Sequence, residues 1–336
     1  MRDLAIHPRD NDLVIATHGR GIWIVDDITP LRALTAATLA KNVAFMPKRP
    51  TVQKPGAYGG WVNGDAAYVG PNPTDDAVIT YYLQKRHIFG DMKIEVLDST
   101  GKVVGTIPSA KRRGLSRVTW SMRLKAPTVP AAASAAGGAT IGPRLLPGTY
   151  KVRMTKDKDV YTTPLVVVAD TRETHTAADR KAQLELAKKL ATLLGEMSFA
   201  VDRINGARLA LDDRAASLPV SDPLSGRLRN ASAAVDLLRK KIVATKEGGM
   251  ITGEERLREN LADLYGAVNG YDGRPSQTQI DRTGAIAREL SDVVADFDTW
   301  ASKNLQAMNA GLAVKKMEPI VVVTRQQWEV KNAGGQ

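Results

Sequence analysis

The feature that most constrains this chain is a change in the period of its apolar residues near residue 175. Upstream, apolar and polar residues alternate in short runs, as in Val118, Trp120 and Met122 or Tyr150, Val152 and Met154. That is the period of a strand with one face buried. Downstream, Leu186, Leu190, Leu193, Leu194, Met197, Val201, Ile204 and Leu211 recur at helical spacing. A chain that changes period once, and completely, reads as a β-rich part followed by an α-helical part.

Within residues 75–170 the strands fall at Val78–Leu83, Lys93–Leu97, Lys102–Ile107, Arg117–Met122, Tyr150–Met154 and Tyr161–Ala169. Asp98-Ser99-Thr100-Gly101 and Lys156–Asp159 supply turns, and residues 126–143 read as a flexible Ala/Pro/Gly loop. Several short alternating strands in about a hundred residues predict an antiparallel β-sandwich. The chain has no cysteine, so such a sandwich carries no disulfide, and thiolate metal sites and cysteine nucleophiles are excluded.

Residues 171–314 predict an antiparallel four-helix bundle. Thr176 opens the first helix, Ser221-Asp222-Pro223 the second, a Thr252/Glu255 capping box the third and Ser276 the fourth. The tail, 315–336, contains a β-prone stretch at Pro319–Thr324, which is expected either to pair with an exposed strand or to remain loose. No stretch approaches the 18 or so apolar residues of a membrane span.

The first 28 residues hold three short apolar runs, LAI, LVIA and IWIV, separated by His7-Pro8, Asp10-Asn11-Asp12 and His18-Gly19-Arg20-Gly21. This spacing predicts a three-stranded meander, too small to bury both its faces alone. A connector, residues 29–74, follows, rich in Pro, with Tyr58-Gly59-Gly60-Trp61 near its centre.

The run DLAIHPRDNDLVIATHGRGIWIVDD resembles the last blade of bacterial sortilin-type, BNR-repeat β-propellers, a glycosyl-hydrolase-like family. The "PGTYKVRM" and "TTPLVVVAD" runs are similar to the immunoglobulin-like module that follows the propeller in that family, and the Asp170–Gln183 pattern is also family-like. The resemblance implies the C-terminal portion of a larger, exported bacterial protein, periplasmic or extracellular, although this chain shows no signal peptide. The first expectation is therefore a non-catalytic accessory or interaction region. Its partners would be the upstream propeller of the same polypeptide and a glycan or protein. The alternative is one part of a glycoside hydrolase whose catalytic propeller lies upstream of Met1.

No catalytic residue is assigned. The pairs Asp26-Asp27, Asp75-Asp76 and Asp212-Asp213 are not acid/base dyads, because neighbouring side chains diverge on a strand or helix. His18 and Arg20, at a turn between strands, are the candidates for lining a cleft. His7, His18, His87 and His175 lack metal-ligand spacing, and neither metal nor cofactor is expected. The net charge of +11 is concentrated in residues 71–170, where Lys111, Arg112, Arg113 and Arg117 form a candidate anion patch. With 5% aromatic residues the chain lacks the stacking platform of a nucleic-acid binder, so no nucleic acid is expected.

Overall fold

A computed structural model describes residues 2–19, 21–54, 72–246, 248 and 253–333. The chain divides into two compact units. One comprises Met1–Lys125 with Arg144–Thr174 and is rich in strands; the other comprises Ala126–Pro143 with His175–Gln336 and is helical. The order is thus β, then α.

The first unit opens with β1 (Asp3–Ile6), β2 (Leu13–Ala16) and β3 (Ile22–Val25), an antiparallel sheet in that order. Two single-turn helices follow, α1 (Thr29–Arg32) and α2 (Ala36–Leu39), then β4 (Val43–Phe45) and β5 (Thr51–Gln53). The remaining strands are β6 (Ala77–Leu83), β7 (Met92–Leu97), β8 (Val103–Ile107), β9 (Gly114–Trp120), β10 (Gly148–Lys156) and β11 (Asp159–Ala169). They form one sheet ordered β5-β11-β10-β7-β8 and another ordered β4-β6-β9. All pairings are antiparallel except β5 with β11.

The expected connector therefore lends a strand to each sheet. Each of these strands is three residues long, too short to display a period. Val43 and Ala44 are nevertheless buried, and the Gln53 side chain donates to the Leu145 carbonyl at 2.8 Å. Tyr58-Gly59-Gly60-Trp61 lies outside the described residues.

Both larger sheets contribute to one core. Ile79, Tyr81 and Leu83 come from one, and Ile94, Val96, Val152, Met154 and Leu165 from the other. Trp120 meets Tyr150 edge to face at 5.1 Å, the geometry favoured by the aromatic quadrupole. Gly105 admits the indole: a Cβ there would stand 2.5 Å from Trp120 Nε1. The expected turn at Asp98 forms, with its carboxylate accepting from Thr100 N at 2.9 Å and Lys102 N at 3.0 Å.

The second unit is built on α3 (Ala177–Ala216), α4 (Pro223–Ile242), α5 (Leu257–Asn269) and α6 (Gln277–Val314). Local chemistry sets their starts. Thr176 and Asp179 make a reciprocal capping box, as do Ser276 and Gln279, and Asp222 accepts from Leu224 N beside Pro223. Thr252 of the expected third box lies outside the described residues. The third helix begins at Leu257, where Glu259 accepts from Arg256 N at 3.1 Å. The apolar stripe of α3 packs with Leu228 and Val235 of α4, Leu261 and Tyr265 of α5, and Ile286, Leu290 and Phe297 of α6 in one core. Ile280, at the start of α6, is exposed.

Residues 126–143 depart from the expected flexible loop. They are fastened to the helices, with Ala139 fully buried in the helical core. Tyr265 Oη donates to the Ile141 carbonyl at 2.5 Å, and Asn269 Nδ2 to the carbonyls of Ile141 and Gly142. Arg258 donates to the carbonyls of Pro130, Ser134 and Ala135, and Ser198 to that of Thr128. A segment with too little apolar surface to pack by itself is held here by its backbone, which the helices supply with donors.

The tail also differs from its β-prone reading. Residues 319–324 pair with no strand among the described residues. Asn309 instead holds both backbone groups of one residue, accepting from Ile320 N at 2.8 Å and donating to Ile320 O at 3.1 Å. A further helix, α7 (Arg325–Ala333), then places the Arg325 guanidinium 4.0 Å from the centre of the Phe199 ring.

Candidate functional site

The first unit contains a cleft of about 400 Å³ whose walls come from six places in its sequence. The β1–β2 turn contributes Arg9, Asp10 and Asp12, and the residues after β3 contribute Asp26 and Asp27. Lys48 and Arg49 come from the β4–β5 connection, Lys54 from the end of β5, Asp75 and Asp76 from the approach to β6, and Arg117 from β9.

Turn chemistry aims the first two groups. Asn11 adopts a left-handed backbone (φ 55°), and Asp27 does the same (φ 45°), conformations that Asn and Asp tolerate better than most residues. Asp12 Oδ1 accepts from Asp27 N at 2.9 Å, and Ile28 N donates to the Asn11 carbonyl at 2.9 Å. The two turns are thus tied together before any side chain reaches the cleft.

The charges then pair in a chain. Asp10 accepts from Arg9 at 2.8 Å and from Arg49 at 3.0 Å. These two guanidiniums, Arg9 foremost, pull its carboxyl down to about 2. Arg49 also donates to the Arg9 carbonyl and lies 3.6 Å from Asp27. Lys54 pairs with Asp75 at 2.8 Å, and Arg117 donates to the Asp26 carbonyl at 3.0 Å.

Lys48 stands apart from this pairing. Its Nζ is buried and has no hydrogen-bond partner among the described residues. Burial pulls the ammonium down to about 8, because the charged form is the one that loses water. The carboxylates of Asp26 and Asp76 likewise have no side-chain partner among the described residues. Among the described residues the cleft therefore holds a cation and two carboxylates without side-chain partners, beside a fixed frame of ion pairs. Such a set of donors and acceptors suits a polar ligand with several hydroxyl groups. Asp10 is a poor general acid: its carboxyl is shifted down, whereas an acid working near neutrality needs a raised value.

The structure distributes the residues singled out in the sequence. His18 is exposed at the β2–β3 turn, where its Nδ1 accepts from Arg2 Nε at 3.2 Å, and it does not line the cleft. Arg20 lies outside the described residues. Of the four basic residues, Arg117 lines the cleft, while Arg112 and Arg113 face solvent in the β8–β9 connection. Lys111 donates to the Gly90 carbonyl at 3.0 Å. Among the described residues no three His, Asp or Glu side chains are grouped to hold a metal ion. Lys48 and Arg49 were hidden from sequence reasoning between Pro47 and Pro50; the adjacent basic pair after an apolar triplet was the available signal. No protein-family model matches the chain, and no curated protein matches it either.

Proposed function

We propose that this chain is a non-catalytic accessory and interaction region of an exported β-propeller protein, with a glycan as the ligand of its charged cleft. In this reading β1–β3 belong to a propeller blade, the two larger sheets form an immunoglobulin-like sandwich, and α3–α6 form an antiparallel four-helix bundle. One observation carries it: the β1–β3 sheet is largely apolar on both faces, and the described residues leave large apolar side chains exposed on each. Residues directly opposite in an antiparallel pair share a face. Leu4, Ile6, Leu13, Ile15, Trp23 and Val25 therefore lie on one side, and Ala5, Val14, Ala16, Ile22 and Ile24, with Asp3 at the edge, on the other. Ile22, Trp23 and Ile24 are 72%, 67% and 60% exposed. Apolar groups on both faces are the pattern of strands covered on both sides, as blades stacked round a propeller axis are.

Photo-crosslinking in the source cells tests this, with a benzophenone amino acid at position 23 in one variant and at 24 in another. Because these positions face opposite ways, the expected result is cross-links from both to strand peptides of propeller repeats. Cross-links from neither, or only to a second copy of this chain, would overturn the reading.

A second reading, one wall of a glycoside hydrolase, is favoured by the convergence of Asp26 and Asp76 on one cleft. That chemistry needs two carboxyl groups about 5–10 Å apart across the sugar. Loss of glycosidase activity in both Asp26→Asn and Asp76→Asn, with ligand binding retained, would select it.

A further inference from the structure

One end of the first unit gathers the β6–β7 loop, the β8–β9 loop and the β10–β11 turn into a single tip. His87 N donates to the Lys111 carbonyl, Lys111 Nζ to the Gly90 carbonyl and Asp157 N to the Asp91 carbonyl, each at 3.0 Å. Gly90 (φ +86°) fits closely here, since a Cβ on it would stand 2.1 Å from Asp157 Oδ1. His87 is buried beneath the loops. The tip is therefore a fixed platform.

On this platform Ile88 and Phe89 stand 65% and 86% exposed, and Phe89 is the most exposed large apolar side chain among the described residues. Lys85, Arg86, Arg112, Arg113 and Lys158, all exposed, come from the same three loops. Residues 85–91, 111–113 and 156–159 hold seven Lys and Arg against three Asp. An apolar crest with a cationic collar is not what water alone selects.

We propose that this tip docks the protein on an anionic lipid bilayer. Ile88 and Phe89 enter the boundary between headgroups and acyl chains, and the collar engages the anionic headgroups. Neither signal holds a protein to a membrane well by itself; the two together do, reversibly. Nucleic acid fits less well, because base stacking uses a row of aromatic faces and the tip has one. Peripheral docking needs no spanning segment, and no described helix is long and apolar enough to be one. The tip is separate from the β1–β3 sheet and from the charged cleft, so it stands whether or not the propeller reading does.

Vesicle co-sedimentation of the full chain tests the proposal, using phosphatidylcholine alone and an equal mixture of phosphatidylcholine and phosphatidylglycerol. The wild type should sediment with the mixed vesicles only. Ile88→Ser/Phe89→Ser and Arg112→Glu/Arg113→Glu should each weaken binding roughly tenfold or more, with unchanged circular dichroism and melting temperature. Trp23→Ser/Ile24→Ser should bind like the wild type, which separates the tip from the exposed sheet. Because the chain has no cysteine, Ile88→Cys offers a single labelling site, and a polarity-sensitive fluorophore there should shift to the blue on the mixed vesicles. Absence of sedimentation, or binding that survives both tip variants, overturns the proposal. So does retention of a nucleic acid or an acidic peptide at the expense of the vesicles.

Discussion

Gly138 and Gly266 meet backbone to backbone: a Cβ on Gly138 would stand 2.6 Å from the Gly266 Cα. The reverse contact is looser, 3.3 Å from a Cβ on Gly266 to the Gly138 Cα. Gly138→Ala should therefore cost about 1–3 kcal/mol, the usual range for forcing atoms into a packed site. Gly266→Ala should cost less, because alanine gains about 1 kcal/mol of helix propensity inside α5. Thermal melts of the two variants should show that order, and equal melting temperatures would refute it.

Arg258 is 4% exposed and spends its guanidinium on three carbonyls of residues 130–135 and on Glu259 at 3.0 Å. Arg258→Met should cost about 3 kcal/mol, the low end for breaking a buried pair, since Glu259 keeps its bonds from Ser134 and Arg256. Arg258→Lys should not restore the loss, because an ammonium cannot reproduce the planar fork. The freed Ala-rich segment should become open to elastase, and cleavage sites mapped by mass spectrometry check this.

Lys48 gives a pH dependence with a definite sign. Its folded value, about 8, lies below the ordinary 10.5, so between these values the unfolded chain holds the extra proton. Stability should rise with pH through that window, from a penalty that is full below pH 8. Lys48→Met should be more stable than the wild type at neutral pH and should flatten the rise. Urea melts of both proteins across the window measure it.

What could be read from the sequence was what neighbouring residues decide. Thr176 with Asp179, Asp222 with Pro223 and Ser276 with Gln279 act within one turn, so three helix starts were legible. The strands from β6 to β11 were legible because each is long enough to alternate, although β9 runs Gly114–Trp120 and not Arg117–Met122, and Met122 beyond it takes a left-handed backbone (φ 56°). β4 and β5 were not, and neither was the docking of residues 126–143, whose donors lie more than a hundred residues away on α5. The cleft shows both sides of this. Asp26-Asp27 and Asp75-Asp76 stood out as pairs, but only the fold brings them beside Lys48 and Arg49.

Because residues 126–143 belong to the helical unit while β9 and β10 on either side belong to the other, the chain passes from one unit to the other three times. No single cut can separate the two. A fragment beginning at His175 would lack buried Ala139, and Arg258, Tyr265 and Asn269 would lose their carbonyl acceptors. The helical core is also completed by a stretch that precedes α3 to α6 in the chain. Its partners come later in the chain, Ser198 on α3 and Arg258, Tyr265 and Asn269 on α5. Order along the chain and membership of a unit are thus decoupled at this point, and excising either unit as a module would break the other.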